Sequence, residues 1–438
     1  MRPKITARAA AVCLLVASRL TLLPAQAADQ LQDWRQFRGP AGSASGYARL
    51  PAEWEGHVQW RAELPGPGGS SPIVVGKRIF LTCYSGYGID PESPGERRNL
   101  VRHLLCFNRD DGKLLWQRDV PTEEVVARYV DFLQQHGYAT STPVSDGERV
   151  YVSLENSGVH AFDVTGEPVW RRNVGNHVHN WGSAGSLTLD EGRLFVNAAV
   201  ECDSLLALDK LTGEEVWRVK RVIGSWSTPT PVDLPAGGRE LLLNVKQRLL
   251  GFDRDTGRQL WSYETEQSVG ASTPTAVDGL VYLSGGNPKF VAALRPGAVS
   301  PGDASPGSGG DASQPEIVWR TDGVGSGIAS PVVHEGRVYV VDRGVAACLD
   351  AASGAVLSKA RLSPSEATFY ASPIVADRKL FAVSRESGIY VLSTEPKFAQ
   401  LANNRLDDSV FNATPAIHDG QLLVRSNRFL YCIGDGKP

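Results

Sequence analysis

Leu205-Leu206-Ala207-Leu208-Asp209-Lys210-Leu211-Thr212-Gly213-Glu214-Glu215-Val216-Trp217 reads as strand, tight turn, strand. Leu205–Leu208 is short and apolar. The Asp209 side chain can bond backbone N–H groups two or three residues on, and Gly213 tolerates a positive φ. Val216-Trp217 opens the next strand. The unit returns as Gly251-Phe252-Asp253 to Gly257 and Trp261, and more loosely as Cys106-Phe107-Asn108 to Gly112 and Trp116, Phe162-Asp163 to Gly166 and Trp170, and Cys348-Leu349-Asp350 to Gly354. One unit recurring at one spacing is the mark of a repeat architecture.

A second signal recurs beside it. Ser70-Ser71-Pro72 leads into a short strand, a turn at Gly76 and another strand. Proline is tolerated there because its missing N–H falls at the end of the ladder. The signal returns before Pro143, Pro229, Pro274, Pro331, Pro373 and Pro415, with a degenerate copy at Ser183-Ala184-Gly185, giving eight starts. From Pro143 to Pro415 the spacings are 42, 44, 45, 57, 42 and 42; the first interval is 71. Four short strands per repeat near this period match a propeller blade. The eighth copy ends at Ile433 without its last strand, and the orphan Val58-Gln59-Trp60-Arg61 supplies it. The expectation is an all-β chain: an extended segment over 28–50, then one eight-bladed β-propeller over 51–434, closed by its N-terminal strand. Closure protects the edges that an open sheet would leave exposed.

Two interruptions stand out. Residues 121–137 carry Val125, Val126, Tyr129, Val130, Phe132 and Leu133 at helical spacing, which predicts one amphipathic helix across a mouth of the ring. Residues 296–315 are rich in Gly, Ser, Pro and Ala and read as a flexible surface loop. Trp60, Trp116, Trp170, Trp217, Trp261 and Trp319 share one repeat position. They read as structural, each packing on a neighbouring blade with its indole N–H on backbone.

Residues 1–27 read as a secretory signal, with a basic start, an apolar run over 9–18 and the cleavage site Ala25-Gln26-Ala27. No later stretch is apolar enough to span a bilayer. The expected product is exported, periplasmic or secreted, and monomeric because the ring closes on itself. Without the leader the chain has 41 Lys+Arg against 48 Asp+Glu, a net charge of −7. That argues against a nucleic-acid partner, which needs a basic face. The five cysteines after the leader are an odd set, and read as small apolar filler or as one Cys83–Cys106 bridge.

The Asp-x-x-Thr-Gly-x-x-x-Trp unit, in a chain of eight repeats, resembles the pyrroloquinoline-quinone (PQQ) type of β-propeller. Trp34-Arg35-Gln36-Phe37-Arg38-Gly39-Pro40 and Asp408-Ser409-Val410-Phe411-Asn412-Ala413-Thr414-Pro415 are similar to stretches of a bacterial exported family with these repeats. Its members are named after the quinone repeat or after the propeller lipoprotein that scaffolds outer-membrane β-barrel assembly. Such a fold hosts enzymes and scaffolds alike.

The loops that converge on a propeller's channel here precede the Ser-Pro signals or join the second and third strands. They supply Tyr138, Asn156, His177, His179, Asn180, Trp181, Trp226, Arg343, Tyr370, Arg385, Phe411 and Asn412 as a funnel face. In an extended segment His177 and His179 point to one side, but two histidines do not make a metal site. No Gly-x-Ser-x-Gly elbow and no phosphate-binding glycine loop is present. The favoured expectation is a non-enzymatic binding or scaffold module without a cofactor, holding a protein, peptide or glycan of the cell envelope. The alternative that the resemblance implies is a PQQ- and Ca²⁺-dependent dehydrogenase of alcohols or sugars. Glu201, Asp203, Asn156 and Asn180 would then supply oxygen ligands, and Trp181 or Trp226 the stacking surface. The adjacent cysteine pair of many quinone dehydrogenases is absent.

Overall fold

The computed structural model describes residues 33–46, 49–122, 126–235, 237–297, 314–395 and 397–435. The expected leader, residues 1–27, and nearly all of the expected 296–315 loop lie outside the described residues. Eight antiparallel sheets follow one another round a ring: 73–121, 144–172, 188–220, 230–264, 275–322, 332–361, 374–404, and 416–433 with Val58–Glu63. These are blades 1 to 8. Val58–Glu63 pairs with Phe429–Ile433, Trp60 opposite Cys432, so the N-terminal strand is the outermost strand of blade 8 as the repeat arithmetic predicts.

Each turn of the opening motif is built as its residues dictate. Asp209 Oδ1 accepts from the N–H groups of Leu211 and Thr212 at 2.8 and 2.9 Å, and Asp253 repeats this on Thr256. The Gly of the turn then receives the Trp of the preceding blade. A Cβ on Gly112, Gly213, Gly257 or Gly354 would lie 2.5–2.7 Å from the ring of Trp60, Trp170, Trp217 or Trp319 respectively. Those indoles donate to Arg109, Lys210, Arg254 and Ala351 carbonyls, and Trp116 does the same to Val164. The Trp is a peg from one blade into the next.

Trp261 departs from this pattern. Its neighbour, blade 5, carries residues 296–315 in place of the Asp-x-x-Thr-Gly sequence. The ring folds under its own blade, 1 % exposed, over Gly251, and donates to Glu240 Oε2 at 2.6 Å. Gly251 interrupts a strand because the indole occupies its side-chain space.

The Ser/Thr-Pro signal also has a mechanism. The backbone N–H of the residue before the proline donates to the hydroxyl at the same position one blade on. Seven such bonds of 2.9–3.1 Å run from Ser71 through Thr142, Ser186, Thr228, Thr273, Ser330 and Ser372 to Thr414. In blade 3 the position belongs to Ser186, with Leu187 in the proline's place, two residues beyond the Gly185 expected from the degenerate copy.

Residues 33–46 cross the end of the ring opposite the Ser-Pro starts. The carbonyls of Trp34, Arg35 and Ala44 accept from Val74, Ser145 and Val375, and Ser45–Gly46 adds a parallel strand inside blade 7. Trp34 is buried over Gly39, where a Cβ would lie 2.6 Å from its ring, and Phe37 enters the channel.

The inserted helix is shorter than its periodicity predicts, a single turn at Leu133–His136. Over 126–130 the backbone polar groups bind side chains instead of a helix. Tyr87 Oη accepts from Tyr129 N–H, while Tyr138 Oη and Arg97 donate to the carbonyls of Ala127 and Val126. Asp131, at φ 54, breaks the helix before its last turn. The Cys83–Cys106 bridge does not form: all five described cysteines are free. Cys83 lies opposite His103 and Cys106 opposite Phe80, three rows apart along the ladder, roughly 10 Å and beyond disulfide reach.

Candidate functional site

The channel holds a cavity of about 240 Å³. Its wall is the hydroxyl ring, and Phe37 from the N-terminal strap is its floor. Its mouth, at the Ser-Pro end, carries Phe132 and His136 from the insert with Trp181, Trp226, Tyr370 and Asn412. Phe132 stacks on Tyr370 at 5.4 Å and 25°, and lies 5.3 Å from Trp181. Trp181 and Trp226 are 5.2 Å apart, and the Trp226 indole donates to Gly182 O. The insert therefore reaches across the ring and completes an aromatic rim.

Specific bonds hold it there. The Gln135 carbonyl accepts from Arg385 Nη1 and from Asn412 Nδ2, both at 2.7 Å. The Arg385 guanidinium lies 4.5 Å from the Tyr370 ring centroid, a cation–π contact. His136 Nε2 donates to Trp181 O at 2.7 Å, leaving Nδ1 to accept from Thr140 Oγ1 at 2.6 Å. That pattern needs a neutral imidazole, and burial pushes its pKa down to about 4.

Among the described residues no Asp, Glu, Lys or Arg lines this cavity. It is a neutral, largely apolar chamber with hydroxyls at its waist. The charges lie beside it, between blades 1, 2 and 3. Buried Arg102 pairs with Glu155; Ser183 donates through its hydroxyl to Glu201 and through its N–H to Glu155 at 3.4 Å. One guanidinium faces two carboxyls. Burial, helped by the charge of Glu155, raises the Glu201 carboxyl to about 7.

The chamber does not fit the quinone cofactor. That molecule carries three carboxylates and is held with Ca²⁺, which takes six to eight oxygen ligands. The lining offers neither cations for the carboxylates nor a carboxylate for the metal. Among the described residues no three His, Cys, Asp or Glu side chains converge as a metal site.

A family model described as "Outer membrane protein assembly factor BamB" matches residues 101–298 and 309–397. The chain belongs to this BamB-type family of PQQ-repeat propellers. Among solved structures it is similar to BamB from Moraxella catarrhalis, with 13% identity and a TM-score of 0.58 over 86% of this chain and 97% of that one. It is also similar to the quinohemoprotein alcohol dehydrogenase ADHIIG from Pseudomonas putida HK5, with 11% identity and a TM-score of 0.57 over 94% and 81%. Sqt1 of Saccharomyces cerevisiae gives 10% identity and a TM-score of 0.60 over 87% and 99%. At these identities the likenesses establish the fold alone. No curated protein matches the sequence.

Within this BamB-type ring the expected funnel residues divide. Trp181, Trp226, Tyr370 and Asn412 line the chamber, and Arg385 stands behind Tyr370. His179 packs edge-on against Trp226 and Trp181, and its Nδ1 accepts from Trp181 N–H, so it supports the rim. His177 and Asn180 are exposed beside it. Tyr138 and Phe411 are buried and outside the lining; Tyr138 packs under the insert with Tyr84, Tyr87 and Tyr129. Asn156 is buried near Arg102, and Arg343 and Asp203 sit on exposed turns. Glu201 is buried against Ser183, whose N–H also reaches Glu155. Phe37, Phe132, His136 and the hydroxyl ring line the chamber and are the residues that sequence reasoning did not assign to it. The Ser/Thr before each proline was the available signal for the ring.

Proposed function

We propose that the chain is a non-enzymatic binding propeller of the cell envelope, exported by its leader, that holds a partner on its funnel face. Protein, peptide and glycan partners suit such a face. The neutral apolar chamber favours a protein or peptide that inserts one large apolar side chain between Phe132, Trp181, Trp226 and Tyr370. One observation carries this reading: the mouth concentrates aromatic surface over a cavity whose described lining holds no Asp, Glu, Lys or Arg and whose one histidine, His136, is neutral and bonded at both nitrogens. The family match supports it, since a member named for outer-membrane assembly works with other proteins.

A photoreactive residue placed at Tyr370 tests it in cells. The expected result is a discrete crosslink to an envelope protein, absent when the same residue replaces Leu211, which is 53% exposed on the opposite face. Equal labelling from both positions, or none from Tyr370, removes the proposal.

A further inference from the structure

The face opposite the funnel has a cavity of its own, about 400 Å³, between the strap and the inner strands of blades 3 to 5. Arg38 lines it and is 1 % exposed. Its Nη2 donates to Pro331 O, but Nε and Nη1 have no partner among the described residues. Those two nitrogens carry three N–H protons. Arg254 lines the same cavity, equally buried, and shows the usual solution: it pairs with Asp190 at 3.2 Å and with Asp233. Asp278, the remaining carboxylate of the lining, stands exposed on a turn.

A buried cation without a counter-ion is costly, because the desolvation of its charge is not returned by any partner. The chain nevertheless aims this one inward. Arg38 is held at φ 64, and the buried Trp34–Gly39 stack fixes the strap on either side. No hydroxyl or carbonyl oxygen of the described residues accepts from Arg38 Nε or Nη1.

We propose that Arg38 anchors an oxyanion site in this cavity, which takes the carboxylate or phosphate group of a small molecule. The guanidinium supplies charge-assisted donors to the oxyanion. Asp278, exposed and part of the lining, stands at the rim of the cavity. The site lies on the far side of Phe37 from the funnel chamber, with which it shares Phe37, Thr228 and Thr273.

The test is calorimetric titration of the full chain with acetate and, separately, with inorganic phosphate, against chloride at equal ionic strength. Saturable one-to-one binding of either oxyanion is expected, weakened at least about tenfold in Arg38→Met. Acetate binding alone assigns a carboxylate ligand, and phosphate binding alone a phosphate; both outcomes support the site. Asp278→Asn removes negative charge from the rim and should tighten binding by roughly two- to fivefold, even if Arg38→Met fails to fold. Tyr370→Ala, which alters the funnel, should leave the anion affinity unchanged. No binding beyond that of chloride would show that water alone solvates Arg38 and would overturn the proposal. So would unchanged affinity in Arg38→Met, or in Asp278→Asn.

Discussion

Replacing Gly257 by alanine tests whether the Trp pegs hold the blades together. Gly257 has φ +73, and a Cβ there would sit 2.7 Å from Cε3 of Trp217, the peg of the preceding blade. Two costs are therefore mixed. The left-handed backbone costs an alanine about 1–2 kcal/mol. Pushing the indole out adds about 1–3 kcal/mol of overpacking strain. Loss of the Trp217 Nε1 bond to Arg254 O, now 3.3 Å, adds about 1 kcal/mol. Gly420 separates these terms, because its φ is +74 and nothing lies within 4 Å of its Cβ position. Gly420→Ala should cost about 1–2 kcal/mol and Gly257→Ala about 3–6 kcal/mol in urea unfolding at unchanged m-value. In a Trp217→Ala background the excess should vanish, a coupling of about 2–4 kcal/mol in the double-mutant cycle. Equal costs for the two glycines, or an excess that survives removal of Trp217, would refute the peg.

Gly251→Ala should expel Trp261 from under its blade, since the new Cβ would lie 2.1 Å from the indole; a loss of about 2–4 kcal/mol and red-shifted tryptophan emission are expected. Glu201 makes stability fall as pH rises. Its carboxyl is raised from 4.5 to about 7, so the folded state keeps a proton that the unfolded chain releases. The contribution is complete below pH 4.5 and is lost by about pH 7, about 3 kcal/mol in all. Glu201→Gln should remove that slope from the pH dependence of the unfolding midpoint, and an unchanged slope would place the titration elsewhere.

Much of the ring was legible because each blade repeats two local devices with local causes. The Asp–Gly turn and the residue before the proline are set by backbone chemistry within a few residues, so spacing alone counts the blades. Closure by Val58–Glu63 followed from the missing last strand of the eighth repeat. What depends on contacts across the ring was not legible. Periodicity over 121–137 predicts a helix, but Tyr87, Tyr138 and Arg97 take its backbone groups from outside the segment. Trp261 looks like the other five pegs in sequence, and only its place under its own blade, over Gly251 and against Glu240, sets it apart. The funnel was half legible: the loops before the prolines do deliver Trp181, Trp226, Tyr370 and Asn412, whereas Phe132 and Phe37 arrive from an insert and a strap that no repeat encodes. Arg38 gave no signal of burial, since only the strap's course beneath blades 3 to 5 takes its guanidinium out of water.

Calorimetric titration of the full chain with pyrroloquinoline quinone, with and without Ca²⁺, asks most directly whether the funnel is a neutral binding mouth or a cofactor site. The chamber lacks the cations and carboxylates that the quinone and its metal need, so no saturable heat and no change in melting temperature are expected under either condition. Stoichiometric, Ca²⁺-dependent binding that is lost in Trp181→Ala would contradict the account and place redox chemistry in the chamber.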